Sequence, residues 1–114
     1  MHELGILVHV VRTVENVAIE NDASKVLKIS LNVGELCGAM PQFLQKQFPL
    51  AILDKPMFDN CKLDIHEKKA MGRCKKCNKM YYIKTNKGIC PYCKYDDFYT
   101  ISGTELRIKE IVAE

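Results

Sequence analysis

Four of the six cysteines in this 114-residue chain fall in two pairs with the same internal spacing. The pairs are Cys74-x2-Cys77 and Cys90-x2-Cys93, and they are separated by a short stretch of chain. Two residues between cysteines let a tight turn aim both sulfurs at one ion, and two such turns form a closed tetrahedral site. The spacing therefore predicts a structural Zn(II) held by Cys74, Cys77, Cys90 and Cys93. A closed site has no open position, so we expect the ion to stabilise the fold and not to activate water.

Iron is the main competitor for this site, because four thiolates in a tetrahedron suit iron as well as zinc. The second pair, Cys90-Pro91-Tyr92-Cys93, resembles a rubredoxin-type knuckle. A small electron carrier is therefore an alternative function. The colour of the protein distinguishes iron from zinc in this site, since an oxidised iron tetrathiolate is red and a zinc tetrathiolate is colourless. The cysteine module is only a minor part of the chain, which argues against redox chemistry as the protein's whole purpose.

The basic residues cluster around the cysteines. Nine basic residues and no acidic one lie between Lys68 and Lys94, which leaves eight basic and fourteen acidic residues elsewhere, a net charge of −6. Four thiolates and one Zn(II) contribute −2 and neutralise part of the basic stretch. All five tyrosines lie in or beside this stretch, and we expect them to pack over the cysteine turns. Interleaved basic and aromatic residues make a zinc-ribbon nucleic-acid-binding protein an alternative function, although the acidic remainder would repel phosphate.

Apolar periodicity predicts the remaining elements. The expected order is a helix over 4–20, a strand over 25–33, a helix from Pro41, a strand over 62–67, the cysteine module, and a strand after Gly103. In the second helix we expect Phe43, Leu44 and Phe48 to face inward and Pro49 to end or kink the helix. In the last strand we expect Leu106, Ile108 and Val112 on the core face.

These elements predict an α+β fold. The first and last parts share the periodicity of one core, so residues 1–68 and 101–114 should form a small α/β domain of two helices and a three-stranded sheet. Residues 69–100 should form an inserted zinc-ribbon module. No apolar run approaches a membrane span, the N-terminus has no signal-peptide pattern, and the cysteines occur as CxxC pairs. We therefore expect a cytoplasmic protein with no membrane contact, in which Cys37 and Cys61 act as small buried hydrophobes.

The N-terminal residues Met1, His2 and Glu3 can also hold a metal ion. A bulky second residue should block removal of Met1, whose free amine can chelate one ion together with the backbone nitrogen and imidazole of His2. The backbone nitrogen of Glu3 can complete a planar set. Nitrogen donors in a tetragonal plane select Ni(II) or Cu(II). From chemistry alone, a histidine at position two is usually only an exposed terminal residue.

Four segments of the chain together resemble the HypA/HybF family of nickel metallochaperones. They are Met1-His2-Glu3-Leu4, Val33-Gly34-Glu35-Leu36, the paired knuckles with Cys-Pro-Tyr-Cys second, and Gly103-Thr104-Glu105-Leu106-Arg107-Ile108-Lys109. The resemblance covers the whole chain in order. It implies a nickel-binding α/β domain with a zinc-ribbon insert. It also implies that His2 is the essential nickel ligand, with Met1 and Glu3 contributing.

The resemblance further implies Ni(II) delivery to the large subunit of [NiFe]-hydrogenase together with a HypB-type GTPase. In some relatives nickel also reaches urease. The sequence leaves open whether the protein forms a homodimer. We expect no nucleic-acid partner. The chain has no nucleophile paired with a base and no P-loop, so we expect a binding protein and not an enzyme. We expect His9 and His66 to be solvated, and Glu35 to cap a helix or bond within a loop.

Overall fold

Two helices and two three-stranded sheets account for the regular structure of residues 3–114, the part of the chain that the computed structural model describes. In chain order the elements are α1 (Glu3–Glu20), β1 (Val26–Gly34), α2 (Pro41–Ala51), a 3-10 turn (Pro56–Phe58), β2 (Lys62–Lys68), β3 (Met71–Cys74), β4 (Met80–Tyr82), β5 (Phe98–Ser102) and β6 (Leu106–Ala113).

The first sheet has the strand order β2-β1-β6, and it forms an α/β domain with the two helices. Strand β1 is parallel to β2 and antiparallel to β6, and α2 lies in the crossover that a parallel pair requires. One core cluster joins the helices to the sheet. Its fully buried side chains include Leu7 and Val14 of α1, Ile29 and Leu31 of β1, and Leu44 of α2.

The second sheet has the strand order β4-β3-β5 and is antiparallel throughout. With the two cysteine turns it forms the zinc-ribbon module, which lies between β2 and β6 in the chain. Its core is small: among the described residues the buried members are Cys74, Tyr81 and Cys90. The Phe98 ring packs edge-on against Tyr81, with centroids 6.1 Å apart. The two sheets confirm the predicted α+β class, and the predicted boundaries at residues 68 and 100 stay a prediction.

A β-bulge changes which residues of β6 face the core. Ser30 pairs with Glu110 but the next residue of β1, Leu31, pairs with Ile108, so Lys109 is extra. The bulge reverses the alternation beyond Ile108. Ile111 therefore packs against the core, while Val112 is 36% exposed. The prediction that Val112 lies on the core face is wrong.

Helix α2 also differs from the prediction. Its buried stripe is Leu44, Phe48 and Ala51, which follows helical spacing, and Phe43 lies beside the stripe with 42% of its surface exposed. The expectation that Phe43 faces inward is wrong. Pro49 lies inside the helix, which continues to Ala51.

Candidate metal centre

The four paired cysteines form one cluster. All four sulfurs lie within 4.8 Å of one another. The Sγ atoms of Cys74 and Cys93 are 3.5 Å apart, and those of Cys77 and Cys90 are 3.6 Å apart. A tetrahedron with metal–sulfur bonds of about 2.3 Å has edges of about 3.8 Å. The cluster therefore fits a structural Zn(II), which would cross-link the two cysteine turns.

Two equivalent turns aim the sulfurs. In the first, the Asn78 N–H donates to the Cys74 carbonyl at 3.0 Å, and in the second the Lys94 N–H donates to the Cys90 carbonyl at 2.9 Å. Asn78 and Lys94 both have positive φ, at 63° and 67°. This conformation reverses the chain immediately after each CxxC pair. The geometry is local, which explains why spacing alone predicts it.

Backbone N–H groups stabilise negative charge on Cys74. Its sulfur accepts hydrogen bonds from the N–H groups of Lys76 at 3.3 Å and Cys77 at 3.5 Å. Burial alone would raise the pKa of the Cys74 thiol, but the N–H groups of Cys77 and Lys76, with the neighbouring cysteines, lower it to about 6. These hydrogen bonds favour the thiolate form that a metal ion needs.

Cys77 behaves in the opposite way. The N–H of Lys79 lowers its pKa, but burial and the hydrogen bonds to the Cys90, Cys93 and Cys74 sulfurs raise it to about 11. A metal ion that takes all four sulfurs as thiolates displaces the protons that they hold, so metal binding depends on pH.

The five tyrosines differ in how far they are buried. Tyr81 is buried against the cysteines, and its hydroxyl donates to the Gly88 carbonyl at 3.3 Å. The other four tyrosines are exposed by 40–61%. Two of them contact basic side chains in or beside the first cysteine turn: Lys76 lies over the Tyr95 ring and Lys79 over the Tyr92 ring. The expected packing is confirmed for Tyr81 and stays a prediction for the other four.

Met1 and His2 lie outside the described residues, so the predicted nickel ligands stay a prediction. Glu3 is the first described residue and begins α1. Its Oε2 accepts a hydrogen bond from the backbone N–H of Met40 at 3.4 Å. Met40 is the N-cap residue of α2 and its own side chain makes no capping hydrogen bond. The Glu3 carboxylate thus lies at the positive end of the α2 dipole.

A joint of backbone hydrogen bonds connects the α/β domain to the zinc-ribbon module. We define the joint as residues 34–36, 68–70 and 103–105. The N–H groups of Gly34, Glu35 and Leu36 donate to the carbonyls of Glu105 at 2.8 Å, Lys68 at 2.8 Å and Gly103 at 2.7 Å, respectively. Both chain connections to the module are therefore bonded to one short segment at the end of β1.

The Glu35 side chain and two glycines complete the joint. Oε1 of Glu35 accepts from the Ala70 N–H at 3.0 Å. This is a hydrogen bond of a loop residue, as expected, but it reaches a segment 35 residues away and is not within the same loop. A Cβ on Gly34 would lie 2.4 Å from the Gly103 carbonyl oxygen, and one on Gly103 would lie 2.4 Å from the Ala70 Cα. Sequence reasoning missed the joint, although two of its three segments, 34–36 and 103–105, lie in family-like motifs.

The remaining candidate residues have ordinary environments. His9 is exposed on α1, and His66 is half-buried with its Nε2 2.9 Å from Oδ2 of Asp64. Cys37 and Cys61 are half-buried and pack against the core. Within residues 3–114, no helix is both long and apolar enough to cross a membrane.

The fold and the cluster together define a class: a small α/β protein with a zinc-ribbon module inserted between two strands of its sheet. The solution structure of the nickel metallochaperone HypA from Helicobacter pylori has this fold, with a TM-score of 0.70 and 21% identity over 99% of this chain and 97% of that one. A second structure, the solution structure of HypA protein, aligns with a TM-score of 0.73 at 21% identity over 100% of this chain and 97% of that one.

Sequence relatives identify the family. The hydrogenase maturation factor HypA of Chlorobaculum parvum is 35% identical, and that of Actinobacillus succinogenes is 33% identical, each over the full length of both chains. The family described as hydrogenase/urease nickel incorporation, metallochaperone, hypA matches residues 1–113. The chain belongs to this HypA family of metallochaperones, which act in nickel incorporation, and this confirms the resemblance found in the sequence.

Proposed function

We propose that the protein binds Ni(II) through Met1, His2 and Glu3 and delivers it during maturation of [NiFe]-hydrogenase. Membership of a nickel-incorporation family across residues 1–113 is the observation that carries this proposal. A HypB-type GTPase and the hydrogenase large subunit are the proposed partners, and urease is a further proposed recipient. The protein acts by binding and releasing the ion, without catalysing a reaction.

The environment of Glu3 supports a particular donor set. The first N–H groups of a helix have no acceptor within it, and Glu3 is the first described residue of α1. Its carboxylate is already hydrogen-bonded to Met40. We therefore propose that Glu3 contributes its backbone nitrogen, while its side chain fixes the start of α1 against α2. The other donors are the Met1 amine and the backbone nitrogen and imidazole of His2.

The zinc-ribbon module has a structural part in this proposal. Its four cysteines would fill all four positions around a Zn(II) ion and leave none for the nickel cargo. The six cysteines form no disulfide within residues 3–114, and four of them suit a thiolate metal site. These thiols favour a reducing compartment, so we propose a cytoplasmic location. The homodimer stays a prediction.

Calorimetric titration of Ni(II) into untagged, zinc-loaded protein tests the proposal. We expect about one tight site in the native chain and no tight site in the His2→Ala variant, because the imidazole and its chelate ring are lost. The matched control is His9→Ala, which removes an exposed histidine of α1 and should bind like the native chain.

A second titration tests whether the free amine of Met1 is a Ni(II) ligand. A chain that retains an N-terminal extension has no free Met1 amine, and it should bind as poorly as His2→Ala. Equal affinity in the native, His2→Ala and extended chains would refute the N-terminal site. Loss of binding in His9→Ala alone would move the site to the α1 surface.

A further inference from the structure

The second sheet leaves one of its faces uncovered. Gly72 and Cys74 of β3 are buried on the inner face, so Arg73 between them points to the outer face. Arg73 pairs with Met80 on β4 and Tyr99 on β5, and these residues share its face. Tyr82 lies on the same face because it pairs with Met71. Met80, Tyr82 and Tyr99 are exposed large side chains on this three-stranded surface.

Cations lie over the aromatic rings of this face. The Lys69 Nζ is 5.2 Å from the centroid of Tyr82, and the Arg73 Cζ is 5.4 Å from that of Tyr99. The Lys75 Nζ lies 5.0 Å from the same Tyr99 ring. The face therefore combines positive charge with apolar and aromatic surface. Each of these cations lies over a tyrosine ring.

The charge of this face is largely uncompensated. Lys75 pairs with Asp97 at 3.0 Å, but within residues 3–114 neither Lys69 nor Arg73 forms an ion pair. No acidic residue occurs from Lys68 to Lys94. Positive charge on an exposed surface attracts and orients an acidic partner.

We propose that this basic aromatic face, formed by Lys69, Arg73, Met80, Tyr82 and Tyr99, docks an acidic polypeptide segment that also carries large apolar side chains. Tyrosine, arginine and methionine are the residue types enriched at protein interfaces. The planar guanidinium of Arg73 matches a carboxylate, and the exposed Met80 side chain offers a contact to an apolar side chain.

A nucleic acid fits the same face less well. Single-stranded nucleic acid binds by stacking bases on free aromatic faces, but here the chain's own cations already cover the Tyr82 and Tyr99 rings. The net charge of −6 on the rest of the chain repels phosphates and carboxylates alike, so it does not separate the two ligands. Carboxylates placed among apolar side chains need no free ring face, and their apolar neighbours can contact the exposed Met80.

Fluorescence anisotropy on the full, zinc-loaded chain tests the proposal. The probe is a labelled peptide that alternates glutamate with leucine. A second peptide has serine in place of leucine, and a third probe is oligothymidylate of equal charge. We expect the glutamate–leucine peptide to bind most tightly, and Arg73→Glu to weaken it by about tenfold or more. Tyr99→Ser should weaken it as well without changing the net charge.

The matched control is Lys46→Glu, which makes the same charge change at an exposed position on α2 and should leave binding close to native. Zinc content and circular dichroism confirm that each variant is folded, and Arg73→Gln replaces Arg73→Glu if the reversal unfolds the module. Equal weakening by Arg73→Glu and Lys46→Glu would overturn the proposal, because only net charge would then matter. Tighter binding of the serine peptide or of oligothymidylate would overturn it in favour of a general polyanion or a nucleic acid.

Discussion

At the scale of single residues, Glu35 is the side chain that most directly connects the two parts of the molecule. Its carboxylate accepts the Ala70 N–H at 3.0 Å, and Ala70 has no exposed surface. A buried N–H without an acceptor costs about 1–3 kcal/mol. We expect Glu35→Ala to lower the free energy of unfolding by that amount, measured by urea denaturation of the zinc-loaded protein.

Glu35→Gln is the matched control for this prediction. The glutamine oxygen can still accept the Ala70 N–H, so we expect it to lose less than about 1 kcal/mol. Amide exchange at Ala70 gives a local measurement: the rate should rise in Glu35→Ala and change little in Glu35→Gln. Equal losses in the two variants would mean that the charge of Glu35 matters and the hydrogen bond does not.

At the scale of elements, the two sheets differ in what stabilises them. The α/β domain buries a continuous aliphatic core from both helices and three strands, whereas the described core of the zinc-ribbon module is Cys74, Tyr81 and Cys90. A module with so little apolar burial depends on its metal cross-link. We expect a strong zinc chelator to unfold β3, β4 and β5 while α1, α2 and the first sheet persist.

Hydrogen exchange measures this difference segment by segment. After zinc removal, protection should disappear at Tyr81 and its neighbours and remain at Leu31 in β1. Readdition of Zn(II) should restore it if the cysteines have stayed reduced. Simultaneous loss of protection in both sheets would show that the α/β domain also needs the ion, which would contradict the independence of its core.

The elements also show what a sequence can predict and what it cannot. Periodicity alone predicts α1, β1 and β2. Each of them buries one face, and the apolar residues of that face recur at a regular interval within the segment itself. It fails at Val112, because the β6 bulge depends on pairing with β1, a segment distant in sequence. Glu35 and Ala70 are 35 residues apart, so their contact leaves no periodic signal. The cysteine cluster is predictable because its geometry is local to each turn.

At the scale of the whole molecule, the protein is elongated. Its principal extents are 54 × 25 × 18 Å and its radius of gyration is 17.6 Å, against about 13 Å for a compact chain of this length. The α/β domain and the zinc-ribbon module form the two ends. The joint at residues 34–36, 68–70 and 103–105 sets the distance and orientation between them. Glu3, one of the proposed nickel ligands, and the proposed docking face therefore lie on the two parts of the molecule that the joint connects.

Gly103→Ala tests whether the joint sets the overall shape. Gly103 has a φ of 93°, and an added Cβ would lie 2.4 Å from the Ala70 Cα, so the two connections must move apart. Gly38→Ala is the control, because Gly38 has a φ of 88° but nothing within 4 Å of its added Cβ. Backbone strain should lower the free energy of unfolding of both variants by about 1–2 kcal/mol. The close contact with Ala70 should lower it further in Gly103→Ala, and this variant alone should change the small-angle X-ray scattering profile. Identical profiles for Gly103→Ala and Gly38→Ala would show that the α/β domain and the zinc-ribbon module keep their relative arrangement without close packing at the joint.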